Sequence, residues 1–341
     1  MTSWLIYAGS GVPHDEVRRL PPPPPWRTFA GGPPLPMPAR DDGNRHDAMT
    51  YLPTPRAVEQ LNAALYLRRP LLVTGPPGSG KSTMAQAVAY ELGLGPVLEW
   101  PITSRVTLRD GLYQYDPLSR LYAASRSASV ATSGREQEED AAEIGRYIRL
   151  GPLGTALLPY DLPRVLLIDE IDKSDIDLPN DLLNVFEKGE YEILELARLA
   201  EPTADVLTSD GSERVTITGG RVQCRSFPLV IMTSNGEREF PPAFLRRCIT
   251  VELSQPNSAA GLTEIVQAHL GDLAGQSADL VERFFDRRSR GALATDQLLN
   301  AVYLVHHAAA PAGTDRLALA DTVMPYLSRD IAAQTPDENP G

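Results

Sequence analysis

The chain has 341 residues, a formal net charge of −12 and a pI near 5.0, with 42% hydrophobic and 22% charged residues. That size and composition allow a substantial core divided over two domains, or one large domain with an appendage. The acidic balance disfavours a grip on nucleic acid, which calls for a basic face, and the longest apolar runs, such as 165–168, are too short to span a bilayer.

Residues 1–45 read as a Pro-rich N-terminal arm or linker. Ten of the 31 prolines precede Arg40, including the run 21–25, and such a segment favours extended polyproline backbone and builds no core alone. Trp4, Leu5, Ile6, Tyr7 and Trp26 give it apolar points with which to dock on a surface. Residues 1–9 lack the basic start and sustained apolar stretch of a secretory signal, so the expected address is cytoplasmic.

An α/β core is expected over 46–253. Thr54-Pro55 reads as an N-cap with proline at the first helical position, and Val58, Leu61 and Leu65 follow at helical spacing until Pro70. The apolar strand 71–74 then runs into Gly75-Pro76-Pro77-Gly78-Ser79-Gly80-Lys81-Ser82-Thr83, which fits the phosphate loop G-x-x-x-x-G-K-[ST], and a helix over 82–92 follows. Glycines there let backbone N–H groups converge on a polyphosphate, and the helix N-terminus favours the anion. These nine residues are therefore the expected ATP cradle, Lys81 reaching the β- and γ-phosphates and the Ser82 hydroxyl holding Mg²⁺. A purely structural Gly-rich turn is the alternative. Gly93 to Gly95 ends the helix, 96–100 reads as another strand, and this βαβ rhythm indicates a parallel sheet with helices on its faces. Residues 124–143 turn Ser/Ala-rich and then acidic, as a solvated flexible insertion would.

The run 165–168 is a buried strand that delivers Asp169-Glu170 at its C-terminal end, where open α/β sheets present their ligands. Asp169 would bind Mg²⁺ through water and Glu170 would polarise the attacking water; the same pair could instead cap the next helix. Asp172 and Asp175 read as local caps. A helix over 178–188 follows, then a hairpin over 214–225 turning at Gly219-Gly220. The apolar strand 228–233 leads to Asn235, whose amide can both donate to a γ-phosphate oxygen and accept from water, or simply form a turn before Gly236. Arg246 and Arg247 follow Phe244-Leu245. One of them, Arg247 ahead of Arg246, is a candidate arginine finger; both could also be ordinary surface residues.

Beyond Val251 the pattern is helical, with segments near 259–271, 276–289, 294–309 and 315–329 making a small all-α domain over 254–333 and a frayed tail over 334–341. Arg283, Arg287, Arg288 and Arg290 fit the decoration of a helix C-terminus better than a nucleic-acid face. Cys224 and Cys248 have no neighbours at metal-ligand spacing, and the five histidines form no ligand set.

Taken in order, phosphate loop, Asp-Glu strand, Asn-ended strand, arginines and helical lid resemble the AAA+ ATPase superfamily of P-loop NTPases. Within it, "GPPGSGKST", "LLIDEIDKSDIDLPNDLLNVFEKGEYEI", "VIMTSNGEREFPPAFLRRC" and "ITSRVTLRDGLYQYD" look like MoxR-type AAA+ ATPases over roughly 46–310. The resemblance implies a parallel-sheet core with an all-α lid, a helical insertion, a β-hairpin before the Asn strand, and a homo-oligomeric ring, usually a hexamer. It also implies a lid arginine, sensor 2, near the third lid helix. Here that region reads Gly291-Ala292-Leu293-Ala294-Thr295-Asp296-Gln297, so Arg287, Arg288 or Arg290 substitutes or the contact is absent.

The leading expectation is thus a Mg²⁺-ATP-dependent, chaperone-like ATPase that remodels or assembles protein partners. An ATP-controlled signalling or defence scaffold with slow hydrolysis is the alternative. A DNA-acting motor and a small-molecule kinase stand further back, the kinase because it explains neither Asn235 nor the arginine pair.

Overall fold

A computed structural model describes residues 4–40, 43, 45–130, 143–199, 203–211, 214–288, 291, 293–308 and 315–326. The tail expected over 334–341, Arg290, Ala292 and most of the acidic insertion (131–142) lie outside them. The chain divides into two compact units, 1–75 with 81–253, and 76–80 with 254–341.

The elements of the first unit run α1 (Arg45–Thr50), α2 (Pro55–Leu67), β1 (Leu71–Thr74), α3 (Thr83–Leu92), β2 (Leu98–Pro101), α4 (Leu108–Leu112), β3 (Tyr113–Tyr115), α5 (Pro117–Val130), β4 (Ile148–Leu150), α6 (Pro152–Ala156), β5 (Val165–Asp169), α7 (Leu178–Lys188), β6 (Glu190–Glu192), α8 (Leu194–Ala197), β7 (Thr203–Leu207), β8 (Arg214–Thr218), β9 (Arg221–Gln223), β10 (Leu229–Ser234), α9 (Pro242–Leu245) and β11 (Ile249–Glu252). The second unit holds α10 (Ala259–Leu270), α11 (Ala278–Arg288), α12 (Thr295–His307) and α13 (Arg316–Asp321).

The core is a five-stranded sheet in the order β11-β1-β10-β5-β2, every pair parallel. Its central strands are near-continuous apolar runs because both faces are covered. β10 is buried at all six positions, and each Leu, Ile or Val so buried contributes about 1.5–3 kcal/mol relative to exposure. Alternate residues feed two cores: Leu71, Val73, Val165 and Ile231 on one side, Leu72, Leu166, Ile168 and Met232 on the other. The register places Thr74 beside Ser234 and Ile168 beside Met232. The C-terminal ends of β1, β5 and β10 therefore open together, and the candidate residues follow those ends.

A six-stranded mixed sheet, β3-β4-β7-β8-β9-β6, accompanies the core. β8 and β9 are the strands of the expected hairpin, with Gly219 and Gly220 both at positive φ (61° and 68°) in the turn; β9 also pairs with β6 along its length. Ala124 to Val130, expected in a flexible insertion, continue α5 instead.

Residues 4–40 are part of the first unit and pack on its α/β core. Ile6, Tyr7 and Val17 are buried among α2, α3 and β1. Two buried polar side chains fasten this segment. Asn62 Oδ1 accepts from the N–H groups of Ile6 (2.7 Å) and Tyr7 (3.0 Å). The Glu91 carboxylate accepts from Ala8 N (2.7 Å), Gly9 N (3.1 Å) and Gly11 N (2.9 Å). Of the expected docking points, Trp26 (75% exposed) stays in solvent and Trp4 (49%) is only half covered, its ring edge-on to Tyr66.

In the second unit, Leu262, Val266, Phe284, Leu298 and Val302 form the helical core. The helix expected over 315–329 ends at Asp321. Pro325 explains the stop, since a proline ring clashes with the carbonyl four residues earlier and brings no N–H.

Candidate functional site

β1 ends at Thr74 and the chain turns at once through Gly75, whose N–H donates to Ser234 O at 3.3 Å across to β10. Gly78 and Gly80 take φ of 72° and 81°, conformations that side chains with a Cβ rarely adopt. Within the second unit, to which Pro76 to Gly80 belong, a Cβ on Gly78 would fall 2.7 Å from Thr295 N. There Gln255 Nε2 also donates to Pro77 O (2.8 Å) and Leu293 O (3.0 Å). Ser79 Oγ is buried without a hydrogen-bond partner among the described residues. A loop that aims an orphaned hydroxyl inward and holds glycines at positive φ fits an anion that accepts from it.

Lys81 is 8% exposed, its Nζ donating to Gly75 O (2.8 Å) and Asn235 Oδ1 (2.8 Å). Burial pushes its ammonium down, and the Asp169, Asp172 and Glu170 carboxylates oppose that shift. Ser82 Oγ donates to Asp169 Oδ1 at 2.8 Å, and Thr83 opens α3. Asp169 Oδ1 also accepts from Thr233 Oγ1 at 2.6 Å.

Glu170 lies just beyond β5 with φ 59° and ψ 48°, a left-handed backbone that costs a non-glycine residue about 1–3 kcal/mol. The kink is over-determined: Glu170 N donates to Thr233 Oγ1 (2.8 Å), Oε1 accepts from Asn235 Nδ2 (3.3 Å), and Oε2 accepts from Lys173 Nζ (2.6 Å). The Lys173 ammonium is raised chiefly by that bond to Glu170. Glu170 keeps 39% of its side chain in solvent, so its carboxylate is open to water.

Lys81, Ser82, Asp169, Glu170 and Asn235 thus form one hydrogen-bonded network. Arg246 and Arg247 are outside it. Arg247 Nε donates to Glu187 Oε1 (3.0 Å) and its Nη1 to Ala243 O (3.0 Å). The Arg246 side chain is exposed, with no hydrogen bond or ion pair among the described residues. Of the two finger candidates, Arg247 is thus clamped to Glu187 and Arg246 is the one left exposed.

Three residues of the site escaped the sequence reading. Thr233, fully buried, joins Asp169 to Glu170. Lys173 pairs with Glu170. Asp172, expected as a local cap, instead reaches β10's end, its Oδ2 accepting from Asn235 N (2.9 Å) and Glu237 N (3.1 Å) while Oδ1 stays buried without a partner among the described residues. Their only signal was position, at strand ends beside the motifs.

Among the described residues no cluster of three or more His, Cys, Asp or Glu could hold a metal. The hard oxygens of Ser82 and Asp169 fit Mg²⁺, an ion that takes one or two protein oxygens and completes its shell from phosphate and water. Of the lid arginines, Arg287 donates to Asp321 and Met324 O, and Arg288 to Pro256 O. No described helix is long and apolar enough to cross a membrane.

A family model described as an AAA domain of the dynein-related subfamily matches residues 70–248. Among solved structures, PCH-2 from C. elegans is similar at 15% identity over 84% of this chain and 68% of its own, with a TM-score of 0.37. NtrX from Brucella abortus, solved in complex with ADP, is similar at 17% identity over 81% of this chain, with a TM-score of 0.38. The chain spans 54% of that NtrX chain.

Proposed function

The chain belongs to the AAA domain family, dynein-related subfamily, and from that premise we propose that it is a Mg²⁺-dependent ATP hydrolase of MoxR-like type, working as a ring, a hexamer by resemblance, to remodel or assemble protein partners. The observation that carries the reading is the Asn235 amide, which accepts from Lys81 and donates to Glu170. One side chain so links the phosphate-binding cation to the group placed to activate water.

In this reading the loop 75–83 cradles the triphosphate and Lys81 donates to its β- and γ-oxygens. Ser82 and Asp169 hold Mg²⁺, which when bound neutralises charge on the phosphate oxygens. Glu170 orients a water and takes its proton as the water oxygen bonds to the γ-phosphorus. The bond to the β–γ bridging oxygen breaks, giving ADP and orthophosphate. Asn235 fixes the water from the other side, and Arg246 of a neighbouring copy stabilises the charge developing on the leaving phosphates, a contribution of ~10³–10⁵ in rate for such arginines. An arginine that serves the next copy requires a head-to-tail interface that closes on itself.

The experiment is phosphate release with Mg·ATP. Glu170→Gln is expected to abolish turnover while retaining ATP, and Lys81→Ala to lose both. Unchanged turnover in Glu170→Gln would remove the assigned role.

A second reading, a nucleotide-controlled signalling scaffold with slow hydrolysis, is favoured by one observation. Arg287 and Arg288 are both engaged inside the helical unit, and 291–297 supplies no arginine. A turnover time longer than the lifetime of the assembly would select it over the remodelling reading.

A further inference from the structure

We propose that the Pro-rich arm positions the Arg246–Arg247 pair, with Arg27 as the positioning residue. The inference rests on the shared-pocket reading above and names what regulates its donor side.

Arg27 ends the 3-10 turn Pro25–Arg27 that follows the run of prolines. Its neighbour Trp26 is 75% exposed, yet Arg27 is 6% exposed. The guanidinium lies over the rings of Phe227 (4.6 Å to the centroid) and Phe29 (5.3 Å). Its Nη1 donates to Phe186 O (2.9 Å), while Nε (3.1 Å) and Nη2 (2.5 Å) both donate to Arg68 O. A planar fork packed against two rings and fixed through three donors is a rigid anchor, and arm composition alone does not call for one.

Two lines lead from this anchor to the arginine pair. In the first, Arg27 Nη1 faces Glu187 Oε2 at 3.5 Å, and the other oxygen of that carboxylate accepts from Arg247 Nε at 3.0 Å. Glu187 is shared between the arm and Arg247. In the second, Arg27 grips the carbonyl of Arg68, a residue held in the left-handed region (φ 52°) at the end of α2. The next residue, Arg69, donates from Nη1 to Arg246 O at 3.2 Å. The arm therefore fixes the backbone of Arg246 through one route and the side chain of Arg247 through the other. The Arg246 guanidinium itself is left projecting, which is the arrangement a donor to another copy needs. Removing the Arg27 guanidinium frees the Arg68 carbonyl and leaves Glu187 with Arg247 alone, and both routes slacken.

The test separates donor from acceptor subunits. Glu170→Gln supplies intact arginines and a silent pocket, while the double variant Arg246→Ala, Arg247→Ala supplies an intact pocket and no donors. Mixed, the two are expected to regain phosphate release that neither shows alone. Adding Arg27→Ala to the Glu170→Gln subunit should cut that regained rate about tenfold, equivalent to ~1.4 kcal/mol. Adding it to the double variant should leave the regained rate unchanged. A merely structural role would lower both mixtures alike. Glu187→Gln, which keeps the Arg27 bonds to both carbonyls and slackens only the Arg247 route, should show a smaller loss confined to the same side and serves if Arg27→Ala does not fold. Equal losses on the two sides, or no loss on either, would overturn the inference. If the parent mixture regains nothing while the unmodified protein hydrolyses ATP, the shared pocket itself is wrong and the inference falls with it.

Discussion

Asn235 Oδ1 accepts a hydrogen bond from Lys81 Nζ at 2.8 Å, and the same amide donates from Nδ2 to Glu170 Oε1 at 3.3 Å. An amide serves a cation and a carboxylate at once, its oxygen accepting and its nitrogen donating. Asn235→Asp turns the donor toward Glu170 into a second anionic acceptor. Turnover should fall on the order of 10²-fold, ~2.7 kcal/mol, with nucleotide affinity altered far less, as read by phosphate release beside a fluorescent-nucleotide titration.

Thr233 is the hinge between the two acidic residues, accepting from Glu170 N and donating to Asp169 Oδ1. Thr233→Val keeps the shape and deletes the hydroxyl, so the Glu170 N–H loses its acceptor and Asp169 loses a donor. Stability in urea should drop by about 1–3 kcal/mol, and the Mg²⁺ concentration that half-saturates turnover should rise.

Asp172 holds the end of β10 through the N–H groups of Asn235 and Glu237. Asp172→Asn retains an acceptor oxygen and should keep most activity. Asp172→Ala leaves both donors unpaired and should cost about 2–3 kcal/mol in stability, together with a fall in kcat larger than any change in KM.

Both cysteines are buried, and burial pushes the Cys224 and Cys248 thiols up to about 12. In the unfolded chain they ionise near ~8.5. The folded state therefore binds more protons between those values, so their contribution is intact below ~8.5 and is lost as pH rises toward 12. Iodoacetamide at pH 8.5 should label the native protein slowly and the urea-unfolded protein fast, and urea midpoints should fall from pH 8 to pH 10.

What the sequence disclosed follows from how each part is stabilised. Strands 71–74 and 165–168 were legible because a parallel strand covered on both faces must be apolar throughout, and the phosphate loop because glycines and a lysine are required at fixed spacing. The six-stranded sheet was mostly illegible. Its strands are three to five residues long, and pairs such as Tyr113 with Leu150 join positions far apart in the chain. Asn62 and Glu91 resemble ordinary helix-surface residues in the sequence, yet both are fully buried to satisfy the backbone of the arm. Asp172 was misread for the same reason, since a carboxylate after a strand caps whatever N–H groups the fold brings to it. That Arg247 is clamped while Arg246 is exposed turns on Glu187, sixty residues from Arg247 in the chain, which spacing does not expose.

The central claim, that copies of this chain share their catalytic pockets, is tested most directly by phosphate release per subunit across a dilution series at saturating Mg·ATP. The account predicts that specific activity rises with protein concentration to a plateau and that Arg246→Ala flattens it near zero. Activity independent of dilution and indifferent to Arg246→Ala would contradict it.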